Sequence, residues 1–104
     1  MRRLLVCLAV LSFAAATSTS ALANQALAQK NACMACHAVD KKLVGPAYQE
    51  VAKKYAGKKS ADELAKSIKA GGSGKWGAVP MPAQTSLSDA DAKTLATWIL
   101  GGAK

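Results

Sequence analysis

One pentapeptide, Cys33-Met34-Ala35-Cys36-His37, limits what this 104-residue chain can fold into more than any other feature. Two cysteines three positions apart, followed at once by a histidine, are the attachment signature of c-type haem. In such a site the two thiols add to the haem vinyl groups, and the adjacent imidazole binds the iron. One helical turn can carry both sulfurs along one porphyrin edge while the imidazole turns inward. The motif therefore predicts one covalently attached haem c, bound through Cys33 and Cys36, with His37 as an axial ligand.

Other uses of a Cys-x-x-Cys pair fit the sequence poorly. Structural zinc needs about four sulfur or nitrogen ligands, and no second Cys/His pair exists, because His37 is the only histidine and Cys7 lies in an apolar N-terminal run. A thioredoxin-like redox pair belongs to a βαβ fold with strands rich in valine, isoleucine and aromatic residues. The sequence contains no such strand, so haem attachment is the favoured interpretation.

The first 23 residues have the pattern of a secretory signal peptide. A positive start, Met1-Arg2-Arg3, precedes an apolar run over residues 4–16, and Ala21-Leu22-Ala23 has the small-x-small pattern of a cleavage site. We expect cleavage after Ala23, which leaves residues 24–104 as a single small domain. The apolar run is shorter than the roughly 20 residues that span a bilayer, so no transmembrane segment is expected in the mature form. A retained membrane anchor is the alternative.

The expected mature chain is short and basic. It has 81 residues, with 12 lysines against 6 acidic residues and no arginine, which gives a net charge of +6. A chain of this size buries a marginal core and usually needs a disulfide, metal or cofactor to stabilise it. Charge alone does not indicate nucleic-acid binding, and we expect none. A positive surface can raise encounter rates with an acidic protein partner.

The second axial ligand distinguishes an electron carrier from a haem enzyme, because a second strong protein ligand closes the iron to small molecules. Met1 lies in the signal peptide, Met34 lies inside the attachment motif, and no second histidine exists, so Met81 is the candidate. Pro80 and Pro82 restrict the backbone on both sides of it. The alternative is a methionine that fills a gap in the core.

The rest of the chain predicts helices joined by Gly/Pro loops. We expect helices over residues 25–32 and 48–55, a third that begins at a capping box formed by Ser60 and Glu63, and a fourth capped by Ser88. The segment from residue 71 to residue 87 is a long loop, which favours a functional role. Trp98 is expected in the core, and Tyr48 and Tyr55 can be explained as packing residues.

Several ordered motifs together resemble the small bacterial class I cytochromes c of the c-551 and c-552 group. The similarity extends over residues 24–104. Its motifs are Cys33-Met34-Ala35-Cys36-His37, Val44-Gly45-Pro46-Ala47-Tyr48, Val51-Ala52-Lys53-Lys54-Tyr55, Gly74-Lys75-Trp76-Gly77, Val79-Pro80-Met81-Pro82 and Leu95-Ala96-Thr97-Trp98-Ile99-Leu100. The resemblance implies an all-α fold in which about four helices surround one covalently bound haem.

The resemblance also implies roles for residues near the haem. The Pro46 carbonyl should accept a hydrogen bond from His37 Nδ1, which fixes the imidazole tautomer. Trp76 should donate its indole N–H to a haem propionate, and Gln84 should place an amide near the axial methionine. The chain departs from some members at Ser67, where they carry an arginine directed toward a propionate. The charge partner of the propionates therefore stays open.

By the same resemblance, the protein carries single electrons between periplasmic respiratory partners and is not an enzyme. A cytochrome bc complex would lie upstream, and a nitrite reductase or terminal oxidase downstream. We expect a monomer located in the periplasm, since bacterial haem c attachment is completed outside the cytoplasm. A haem enzyme or gas sensor, in which a small ligand displaces Met81, is the competing class.

Overall fold

A computed structural model describes residues 20–104 as an all-α chain. Within this part of the chain there is no β-strand, and β pairing is limited to an isolated antiparallel bridge between Gly72 and Met81. The helices are α1 (Ser20–Lys30), a 3₁₀ turn (Cys33–Ala35), α2 (Tyr48–Tyr55), α3 (Ala61–Ala70) and α4 (Asp89–Leu100). This confirms the predicted fold class. Residues 1–19 of the proposed signal peptide lie outside the described residues.

Local capping signals determine where α3 and α4 begin. The Ser60 hydroxyl accepts a hydrogen bond from the Glu63 backbone N–H at 3.1 Å, and the Glu63 side chain accepts one from the Ser60 backbone N–H. At α4 the Ser88 hydroxyl accepts from Asp91 N–H at 3.1 Å. Each cap satisfies a backbone donor that the first helical turn would leave unpaired.

The predicted first helix has different bounds from the observed one. We expected residues 25–32, whereas α1 runs from Ser20 to Lys30. The segment before Gln25 contains good helix formers and no glycine or proline, so nothing local stops the helix there. At its other end Ala32 adopts a left-handed conformation with φ 59° and directs the chain into the 3₁₀ turn.

Helix α4 is the centre of the fold, because α1, α2 and α3 all pack against it. Leu95, Trp98 and Ile99 are buried on α4, as expected from their spacing. The Trp98 ring meets the Tyr48 ring edge-on with centroids 5.6 Å apart, which joins α4 to the start of α2. The core therefore lies between α4 and the other helices, and one side of it opens into a cleft.

None of the described helices is long and apolar enough to cross a membrane.

Candidate haem-binding site

An apolar cleft brings together the attachment motif and the methionine loop, which are distant in sequence. Its walls include side chains of α2, α3 and α4, namely Val51, Leu64, Ile68, Leu95 and Ile99. Cys33, Cys36, His37 and Met81 all line the same cleft. The fold thus provides an apolar space bordered by two thiols, an imidazole and a thioether.

The 3₁₀ turn holds the two cysteines on one short stretch of backbone. The backbone N–H groups of Cys36 and His37 both donate to the Cys33 carbonyl, at 3.2 and 3.0 Å. Both cysteines are half-buried and they form no disulfide with each other. Burial raises the pKa of the Cys33 thiol, which disfavours the thiolate that disulfide exchange requires. Both sulfurs therefore remain available for thioether bonds.

Three contacts fix the His37 imidazole. Its Nδ1 lies 2.8 Å from the Pro46 carbonyl oxygen. The Tyr48 ring stacks on it, with centroids 5.1 Å apart and an interplanar angle of 20°. Gly45 passes so close that a Cβ there would come within 2.4 Å of His37 Cε1. A carbonyl only accepts hydrogen bonds, so Nδ1 carries the proton and Nε2 keeps a lone pair for a metal.

The Met81 loop is held by backbone contacts with the end of α3. Gly72 and Met81 exchange two hydrogen bonds, of 3.0 Å from Gly72 N–H and 2.7 Å from Met81 N–H. Gly71 has a φ of 66°, and a Cβ there would lie 2.4 Å from the Met81 carbonyl oxygen. Only glycine tolerates both that conformation and that close approach. Met81 is half-buried and packs against the core.

Trp76 and Gln84, the other two residues singled out from the sequence, lie in different settings. Trp76 lines the cleft with 38% of its surface exposed, and its ring meets that of Tyr55 edge-on at 6.0 Å. Gln84 is not among the residues that line the cleft. Its Nε2 donates to the Pro82 carbonyl at 3.0 Å, so it contacts the backbone just beyond Met81.

Sequence reasoning missed the roles of Gly45, Gly71 and Tyr48. The two glycines were visible only as loop or stop signals, since the approach of a distant segment is not encoded locally. Tyr48 was explained as a packing residue, yet it contacts both His37 and Trp98. Burial is the main cause that raises the pKa of Tyr48, and the neighbouring Cys33 thiol raises it further. The Tyr48 hydroxyl therefore stays neutral inside the site.

The residues present fit a covalently bound haem c. The macrocycle is apolar, as are most of the cleft walls, and the glycine at position 45 leaves room for an imidazole turned toward the cleft. Two thiols, one imidazole with an available Nε2 and one thioether make up the donor set that c-type haem uses. The fold and the cleft together define an all-α domain built for covalent haem.

Comparison with known proteins agrees with that class. The cytochrome c family model matches residues 21–103, and the chain belongs to the cytochrome c family. Its relatives are electron-transfer proteins and not enzymes, and the protein is a monohaem c-type electron carrier with one covalently bound haem c.

Individual relatives are similar over most of the chain. Cytochrome c-552 of Hydrogenobacter thermophilus is 62% identical over 79 residues, which cover 75% of this chain and 80% of that protein. Cytochrome c-551 of Allochromatium vinosum is 50% identical over 93 residues, covering 88% and 99%. The crystal structure of wild-type Nitrosomonas europaea cytochrome c552 superposes with a TM-score of 0.73 at 54% identity and covers 75% of this chain and 98% of that one.

Proposed function

We propose that this protein is a periplasmic one-electron carrier in which His37 and Met81 are the axial ligands of the haem iron. It would accept electrons from an upstream respiratory cytochrome complex and donate them to a nitrite reductase or terminal oxidase. Bound haem c supplies the Fe(II)/Fe(III) couple. The observation that carries the proposal is the orientation of His37, whose Nδ1 is engaged by Pro46 at 2.8 Å in the same cleft that Met81 lines.

His37 is suited to a permanent ligand role. The Pro46 carbonyl accepts the hydrogen bond from Nδ1–H, which selects the tautomer with a lone pair on Nε2. Tyr48 stacks on the ring, and Gly45 packs closely against it. An imidazole held in this way would move little when bound iron changes oxidation state.

Met81 is suited to close the opposite axial position. A thioether is a soft ligand that favours ferrous over ferric iron, and a closed iron exchanges electrons without binding substrate. The bridge to Gly72 and the two flanking prolines hold the backbone of the loop. The Gln84 side chain adds a hydrogen bond to Pro82, and we propose that it supports the position of Met81. We propose that Trp76, at the cleft, donates to a propionate.

Residues 1–23 are proposed to be a signal peptide that directs export to the periplasm. Cleavage after Ala23 would fall inside α1 and leave its last seven residues, 24–30, on the mature chain. Mass analysis of the protein isolated from the periplasm should then give a chain that starts at Asn24. A chain that retains residues 1–23 would contradict this.

Partners are proposed to dock where the cleft reaches the surface. Val44 and Val79 both line the cleft and are 58% and 63% exposed, which leaves an apolar surface at its edge. The twelve lysines of the proposed mature chain can steer an acidic partner during encounter. We propose that the protein docks with its partners as a monomer.

Carbon monoxide binding tests the axial pair. Met81→Leu keeps the volume of the side chain but removes the sulfur, so the ferrous variant should bind carbon monoxide rapidly at neutral pH. Met34→Leu, the matched control in the attachment motif, should resist carbon monoxide as the wild type does. Rapid binding by the wild type, or equal resistance in both variants, would argue against Met81 as a ligand and favour a sensor or an enzyme.

A further inference from the structure

The cleft carries charge of only one sign. Among the described residues that line it, Lys59 and Lys75 are cationic and none is an aspartate or glutamate. Ser67, which also lines the cleft, is neutral, and its hydroxyl donates to the Glu63 carbonyl of its own helix at 3.2 Å. Haem carries two propionate carboxylates on the edge away from its vinyl groups. Lys59 and Lys75 are therefore the cationic side chains of the cleft lining that the anionic edge of such a ligand could meet.

Lys59 is better placed than Lys75. Lys59 is half-buried whereas Lys75 is exposed, and the Lys59 Nζ lies 4.5 Å from the centroid of the Tyr55 ring. The ion pairs found within residues 20–104 use Lys53, Lys69 and Lys93. A partly buried ammonium outside those pairs gains more from an incoming carboxylate than an exposed one does, because solvent screens it less.

Aromatic contacts connect Lys59 to Trp76 in a rim cluster formed by Lys54, Tyr55, Lys59 and Trp76. Tyr55 contacts both residues, because the Lys59 Nζ lies 4.5 Å from its ring centroid and the Trp76 ring meets it edge-on at 6.0 Å. The Lys54 Nζ lies 4.4 Å from the Trp76 centroid and 5.4 Å from the Tyr55 centroid, and it donates to the Lys75 carbonyl at 3.0 Å. The rim cluster thus holds a cation and an indole at one part of the cleft.

We propose that Lys59, supported by Tyr55, is the cationic partner of a haem propionate and offsets the lack of a charged residue at position 67. The proposal rests on the haem site described above. Lys59 would position the propionate, and its charge would act on the oxidation state of the haem. Ferric haem carries one more positive charge than ferrous haem, so a nearby ammonium disfavours the ferric state. Lys59 therefore raises the reduction potential.

The test compares Lys59→Gln with Lys58→Gln in spectroelectrochemical titrations of the haem-loaded protein at pH 7. Both variants lose one charge at adjacent positions, but Lys58 is exposed and does not line the cleft. Lys59→Gln should lower the midpoint potential. The expected shift corresponds to about a fivefold rise in the ferric-to-ferrous ratio at a fixed applied potential. Lys58→Gln should produce less than half of that shift. Equal shifts in the two variants would overturn the proposal.

A conservative variant separates charge from packing. Lys59→Arg keeps the positive charge and should restore a midpoint close to that of the wild type, and a shift as large as that of Lys59→Gln would contradict the charge role. Carbon monoxide resistance of the same samples reports on the axial ligands independently. Rapid binding by the wild type would defeat the proposed axial pair, while the difference between Lys59→Gln and Lys58→Gln would still decide the role of Lys59.

Discussion

At the scale of single residues, the site depends on small side chains as much as on the proposed ligands His37 and Met81. Gly45 has no unusual φ, and its importance comes only from its distance to His37. Gly71 combines a positive φ with close contact to the Met81 loop. One glycine therefore leaves room for the His37 ring, and the other allows the methionine loop to approach the end of α3.

Gly45→Ala tests the contact with His37. The added methyl would meet the imidazole at 2.4 Å, so the ring or the loop must shift. We expect a loss of about 1–3 kcal/mol in stability and an altered spectrum of the iron. Thermal unfolding and visible absorption of the haem-loaded protein measure both. Gly101→Ala is the control, because a Cβ there has its nearest neighbours at 3.5 Å and should change little. Indistinguishable variants would mean that Gly45 is not a steric requirement.

At the scale of helices, local signals explain what could be read from the sequence. Ser60 with Glu63, and Ser88 alone, are caps whose partners lie three residues away, so the starts of α3 and α4 were predictable. The start of α1 was not predicted, because the helix begins at Ser20, inside the segment that the sequence marks as a signal peptide. The Tyr48 stack on His37 and the Gly72 bridge to Met81 were also beyond prediction, since each joins segments whose meeting depends on the tertiary path.

The contact between α3 and the start of α4 should make stability depend on pH. Lys69 donates to Asp89, and this hydrogen bond and the charge of Lys69 lower the pKa of the Asp89 carboxyl. A carboxyl whose pKa is lowered by folding stabilises the fold above its unfolded pKa of about 4 and loses that contribution as the pH falls through the folded value.

Asp89→Asn should therefore lower the unfolding midpoint at pH 7, and this loss should shrink as the pH falls toward 2, because protonation of the carboxyl removes the ion pair. The effect should be small and should weaken in high salt, because Asp89 is fully exposed. Asp91→Asn, in the same helical turn, controls for interaction with the helix dipole. Thermal unfolding at several pH values measures the change in midpoint for each variant. An equal effect at pH 2 and pH 7 would exclude the ion pair as its cause.

At the scale of the whole molecule, the cofactor is part of the core. Apolar side chains of α2, α3 and α4 line the cleft, where they have the macrocycle to pack against. A chain of this size has little other apolar surface to bury. The attachment motif predicted this cofactor from the sequence. The residues that form the cleft walls could be identified only from the fold, because they come from three different helices.

Replacing both attachment cysteines should therefore unfold most of the protein. Cys33→Ala with Cys36→Ala should release the haem into acidified acetone and remove most of the helical circular dichroism, because binding of the group and folding are coupled. Met34→Leu, which keeps both thiols, should retain haem and helix. A haem-free double variant with native helix content would contradict this account.

The most direct test of the central claim, that His37 and Met81 hold the iron between them, is proton NMR of the ferrous protein labelled with ¹³C at its methionine methyls. A methyl held against the face of the macrocycle lies in the ring current and is shifted far upfield. The proposed mature chain, residues 24–104, has two methionines, Met34 and Met81. We expect one methyl signal far upfield, lost in Met81→Leu and retained in Met34→Leu. Two methyl signals at ordinary positions in the wild type would show that Met81 does not bind the iron.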